Sequence, residues 1–252
     1  MAADASRGIR IRRRVAYLRK EMNAALHPRS SNAGRRGRLR AGARASFIIF
    51  VMVISAGLNV EPGSPVRIVA FGDSLTAGYG LRPREAFPVV LGARLRADGY
   101  NVTVVNAGVS GETTQAGLTR LPSVLALHPG LLILEFGCND MLNGLDPKLA
   151  ESHLEKMIAE LRSKGVPVLL AGMRAKPGTL GDADKQRFDA LFPALAARHA
   201  LPFYPYFLQD VLGNPELVLW GGVHPNPKGV RRIVDGVAPI VERMLDAGSP
   251  SG

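Results

Sequence analysis

The sequence predicts an α/β protein whose parallel sheet is covered by helices on both faces, a three-layer α/β/α domain. Two observations carry this. Short β-branched segments alternate with longer ones whose apolar residues recur at helical spacing, from Val66 to Leu245, and a parallel strand pair requires such a crossover. The 252 residues, 46% hydrophobic and 21% charged, are also enough chain to bury one substantial core.

After the Pro/Gly-rich stretch Glu61–Pro65, Val66–Phe71 reads as a buried strand ended by Gly72. Glu85–Asp98 follows as a helix through Phe87, Val90, Leu91 and Leu95. Asn101–Val105 is the second strand, Gly117–Leu127 a helix and Leu131–Phe136 the third strand. Lys148–Lys164 is a helix with Leu149, Leu154, Met157, Ile158 and Leu161 as its apolar stripe, and Val166–Ala171 is strand four. Asp182–His199 is helical, Leu201–Tyr204 is a short fifth strand, and Lys228–Leu245 is the closing helix, capped by Asn226 with Pro227 at its first position.

The chain carries a formal net charge of +11, and all of it lies at one end. Residues 1–45 hold 13 Lys/Arg against Asp4 and Glu21, whereas the remainder holds 19 basic and 19 acidic residues. A neutral domain has no standing field to attract a phosphate backbone, so a nucleic-acid partner is not expected for it. The apolar run Ser46–Leu58 falls short of the roughly 20 residues that span a bilayer core, and fits a secretory signal segment. The division expected is a basic, signal-like leader over 1–60, the α/β domain over 61–247 and a flexible tail over 248–252. Export to the periplasm or medium follows, the alternative being an inner-membrane anchor through 46–60 with transient membrane contact by the leader. The lone Cys138 excludes a disulfide framework, and the five histidines show no metal-ligand spacing.

Three polar blocks stand directly after predicted strands: Gly72-Asp73-Ser74-Leu75, Gly111 within Asn106–Thr113, and Gly137-Cys138-Asn139-Asp140. Ligands of open parallel sheets bind outside the carboxyl ends of the strands, so all three face one edge. Taken singly, each has a bland reading: Asp-Ser caps backbone donors, Asn139 closes a turn, and Gly111 is a turn glycine. Val223-His224-Pro225-Asn226, before the last helix, returns an imidazole to the same rim. Together they suit nucleophilic catalysis, with Ser74 attacking, His224 as base and then acid, and Gly111 and Asn139 donating to an oxyanion.

The four blocks in this order resemble the SGNH (GDSL) hydrolases, in particular the branch of bacterial arylesterases and periplasmic thioesterase/lysophospholipases. The likeness runs from about Val66 to Leu245. It implies a flavodoxin-like fold with five parallel strands ordered 2-1-3-4-5. It further implies hydrolysis of aryl esters, acyl thioesters or lysophospholipids through an acyl-enzyme, with no cofactor.

One position departs from the family. The acid that orients the histidine belongs three residues before it, and here that residue is Gly221. Loss of a triad acid reduces kcat about 10⁴-fold, unless a backbone carbonyl, a water, Asp210 or Glu216 substitutes. Two alternatives follow: a degenerate relative, weakly active or only ligand-binding, and a binder of nucleic acid or anionic membrane through the leader. Cys138, beside Asn139, reads as a small buried residue rather than a second nucleophile.

Overall fold

The computed structural model describes residues 63–176 and 178–248. The expectations for the leader and for residues 249–252 lie outside the described residues, while Gly248 closes the last helix. Five parallel strands, β1 (Val66–Gly72), β2 (Val102–Gly108), β3 (Leu131–Glu135), β4 (Val168–Ala171) and β5 (Phe203–Tyr204), form one sheet in the order β2-β1-β3-β4-β5. β1 pairs along its whole length with β2, Val66 opposite Val102 and Gly72 opposite Gly108, and its Gly72 faces Glu135 of β3. β3 and β4 are buried at every position, as strands covered on both faces must be.

The helices are α1 (Ser74–Ala77), α2 (Phe87–Ala97), α3 (Thr114–Leu125), α4 (Cys138–Leu142), α5 (Pro147–Ser163), α6 (Asp182–Arg198) and α7 (Pro227–Gly248). α2 packs against α7, whereas α3 packs against α5 and α5 against α6, which makes the two outer layers. Each long helix presents the face its sequence periodicity predicts, with one exception. Leu149 is 52% exposed, and the buried residues of that first turn are Pro147 and Ala150.

α1 and α4 follow β1 and β3 directly and are invisible to periodicity, since four or five residues make barely one turn. The Asp73 carboxylate accepts the Leu75 N–H at 3.0 Å and so caps α1, while Gly78, at φ 84°, closes it. The turn lies tight on the sheet: a Cβ on Gly108 would stand 2.3 Å from the backbone nitrogen of Ala77.

Candidate active site

Ser74 opens α1 at the carboxyl end of β1, and its Oγ lies 2.9 Å from His224 Nε2. The two residues are 150 positions apart. His224 reaches the site from a small hairpin whose arms pair Val218 with Pro225, closed by Leu219 N–H to His224 O at 2.8 Å and Asn226 N–H to Leu217 O at 2.9 Å. The Asn226 side chain also accepts the Lys228 and Gly229 N–H groups, so the cap of α7 and the placement of His224 are one construction. Burial lowers the imidazole pKa, favouring the neutral form a base requires.

Among the described residues no carboxylate serves the other ring nitrogen. Among the described residues the hydrogen bond to Ser74 is the only one His224 makes through its ring. Asp210 is drawn away by Arg232 at 2.7 Å, and the Glu216 side chain makes no hydrogen bond to the histidine. Gly221 sits at the hairpin tip with φ 109° and open space where a Cβ would be. Tyr79 supplies the other contact, its ring centroid 4.6 Å from that of His224 at a 35° tilt.

Gly111 has φ 86° and nothing within 4 Å of where a Cβ would stand. Its backbone N–H and that of Ser74 find no acceptor among the described residues, as donors reserved for a ligand would not. The loop is fixed by Arg120, which clamps Glu112 through Nε and Nη2, the shortest contact being 2.6 Å. Arg120 also donates to Ala107 O at 2.9 Å and covers the Phe71 ring at 4.8 Å.

Asn139 lies in α4, between the Ser74 and Gly111 loops. Its amide donates to Asp73 Oδ2 at 3.1 Å and to Glu112 O at 2.8 Å, so both protons are engaged and the residue ties the two loops together. The oxyanion role expected for it requires a substrate oxygen to take over one of these bonds.

The buried polar and charged side chains among the described residues are Asp73, Thr76, Thr114, Glu135 and Asp140, and they gather beneath this edge. Glu135 Oε2 accepts from Thr76 Oγ1 at 2.6 Å and from the Asp73 N–H at 3.4 Å, while Glu135 Oε1 is buried without a partner. Burial, and then Asp73, push the Glu135 pKa well up. Burial, followed by Asp140 and Glu112, lifts Asp73 to about 7 against the pull of the Leu75 N–H and Asn139. Asp140 anchors α3 to α4 by accepting from Thr114 N and Oγ1 at 2.8 and 2.6 Å. Sequence reasoning missed Glu135, because it ends an apolar strand and its only signal is a carboxylate at a position read as core. Cys138 is buried with its thiol pKa pushed up by that burial, so it is not a ready nucleophile.

A narrow cleft with a cavity volume of about 30 Å³ is lined by Cys138, Met141, Met173, Arg174, Tyr206 and Val223 among others. Its walls are the residues next to Asn139 and His224.

The four blocks share one edge of a flavodoxin-like sheet, and the comparisons give the family. Residues 70–232 match the GDSL-like lipase/acylhydrolase family. The chain is 36% identical over 201 residues to an arylesterase of Vibrio mimicus, covering 79% of this chain and 98% of the relative. It is 32% identical over 193 residues to thioesterase 1/protease 1/lysophospholipase L1 of Escherichia coli K12, covering 76% and 91%. The crystal structure of TesA superposes with a TM-score of 0.67 at 33% identity, over 71% of this chain and 99% of that one. The chain belongs to the GDSL-like lipase/acylhydrolase family, and it is a carboxylic ester hydrolase. These relatives are named as enzymes, and the reading of a non-catalytic member gains nothing from them.

Proposed function

We propose that the protein hydrolyses acyl esters and thioesters with a Ser74–His224 dyad. The observation that carries this is the 2.9 Å contact from Ser74 Oγ to His224 Nε2 beside two unengaged backbone N–H groups. His224 Nε2 takes the hydroxyl proton as Oγ attacks the carbonyl carbon, and the carbonyl electron pair moves onto its oxygen. The N–H groups of Ser74 and Gly111, with Asn139, receive that oxyanion, each such donor being worth about 3 kcal/mol. Collapse expels the alcohol or thiol, which leaves with the proton from His224, and the acyl group stays on Ser74. Water, deprotonated by His224, then attacks the acyl-enzyme and releases the acid.

Met141, Met173 and Val223, which line a narrow cleft next to His224, are the apolar side chains offered to the acyl group. The names of the relatives make aryl esters, acyl thioesters and lysophospholipids the substrate classes to test. The basic leader and apolar run support export, for which mass spectrometry of the mature amino terminus is the test.

The decisive measurement is hydrolysis of a chromogenic short-chain ester by wild type and Ser74→Ala. A loss of at least about 10³-fold is expected, together with labelling of Ser74 by a serine-directed phosphonate. Equal rates, or a label on another residue, would remove Ser74 from the mechanism.

A further inference from the structure

The edge that holds the dyad carries a ring of apolar side chains that nothing among the described residues covers. Tyr79, Val109, Leu142, Leu145, Leu149 and Trp220 are exposed, and each stands on a segment that leaves a strand's carboxyl end or opens the helix after it. A parallel sheet places all such segments on one side. Contacts bind the ring to the site: Tyr79 lies on His224, the Val109 N–H donates to Gly72 O at 3.0 Å, and Leu142 shares the cleft with Val223. Trp220, the only tryptophan in the chain, is fully exposed at the hairpin tip.

We propose that this ring docks the enzyme on a phospholipid surface, with the cleft open to the lipid. Exposed apolar side chains gathered around a site mark an interaction surface, and two features select lipid as the partner. Tryptophan and tyrosine, apolar in body and polar at one end, are the side chains that settle at a bilayer interface. Arg174 and Lys176, on the rim of that cleft, have no carboxylate partner among the described residues and complement lipid phosphates. The proposal rests on the ester-hydrolase reading only for the direction in which a lipid enters.

Trp220 reports docking directly. The full chain is mixed with phosphatidylcholine/phosphatidylglycerol vesicles, with and without brominated acyl chains, and tryptophan emission is recorded. A blue shift with plain vesicles and quenching by brominated ones are expected. Leu145→Ser and Leu149→Ser should each weaken vesicle affinity by roughly tenfold while leaving Ser74-dependent hydrolysis of a soluble ester unchanged. Unquenched emission from a chain that still floats with vesicles would overturn the proposal, because the leader would then be the attachment. An emission shift that follows protein concentration without lipid would also overturn it, in favour of a second copy as the occupant. Quenching without ester hydrolysis would sustain the docking surface and sink the esterase reading alone.

Discussion

Tyr79 and His224 stack ring on ring, 4.6 Å between centroids, and no carboxylate among the described residues bonds the imidazole. Tyr79 comes from the turn after α1 and His224 from the far end of the chain, so the contact fixes the base relative to the helix that carries its nucleophile. In a chain with Gly221 where the family places an acid, this aromatic contact orients the imidazole. Its worth is about 0.5–1.5 kcal/mol, against the several kcal/mol a triad acid supplies, so the dyad should be active and slow.

Removing the ring should therefore cost turnover. Tyr79→Ala is expected to lower kcat roughly 2- to 10-fold, while Tyr79→Phe, which keeps the ring, stays near wild type. Steady-state kinetics on one soluble ester decides this, and equal loss in both variants would assign the effect to the hydroxyl.

The pH profile should carry the mark of a base without an acid partner. Burial lowers the His224 pKa from its ordinary 6.5, and no neighbouring carboxylate raises it again. The acid limb of kcat/KM is thus expected below 6.5, since the active form is the neutral imidazole. A limb above that value would mean that a carboxylate stands close to the ring.

The buried acids beneath the site predict an unusual stability profile. Asp73 is raised by burial from 3.8 to about 7, so between those values the folded chain keeps a proton that the unfolded chain has released. Stability then falls as pH rises through that window and levels off above it. Glu135, raised in the same direction by burial, adds to the decline. Melting temperatures from pH 4 to 8 should show this, and Asp73→Asn should flatten the lower part of the curve.

The glycines of the site separate packing from conformation. A Cβ at Gly108 would stand 2.3 Å from Ala77 N and 2.7 Å from its Cα, both backbone atoms, so Gly108→Ala should cost about 1–3 kcal/mol or more. At Gly111 the space is open and only φ 86° opposes a side chain, so Gly111→Ala should cost about 1 kcal/mol and fold. Denaturant melts measure both.

The five strands and the long helices were legible because each follows from period and length, whereas the strand order was legible only through the family resemblance. β3 and β4 are apolar and buried throughout apart from the acid that ends β3, and α5 keeps its stripe apart from the exposed Leu149. The short α1 and α4 were hidden, since capping by Asp73 and closure by Gly78 act over too few residues to leave a periodic trace. For the site, the blocks placed Ser74, Gly111, Asn139 and His224 on one rim. Asn139's bonds to Asp73 and Glu112 O, the buried Glu135 and the Tyr79 stack depend on contacts between segments that no local pattern encodes.

Gly221 is where sequence and geometry together set the sharpest test. Gly221→Asp places a carboxyl three residues before His224, but on a turn with φ 109° at that residue and 74° at Gly222. The strain is about 1–2 kcal/mol, whereas an oriented imidazole is worth up to about 10⁴-fold in kcat. The gain should win. A rise in kcat of roughly 10-fold or more is expected, with a lower melting temperature and an acid limb moved to higher pH as the carboxylate stabilises the imidazolium. The limb is the discriminating readout, because strain alone leaves it unmoved. A folded variant with unchanged kcat and limb would show that the hairpin aims position 221 away from the ring, leaving Tyr79 to hold the base. Asp210→Asn and Glu216→Gln should be silent in either background, since Asp210 is bound to Arg232 and Glu216 makes no hydrogen bond to His224.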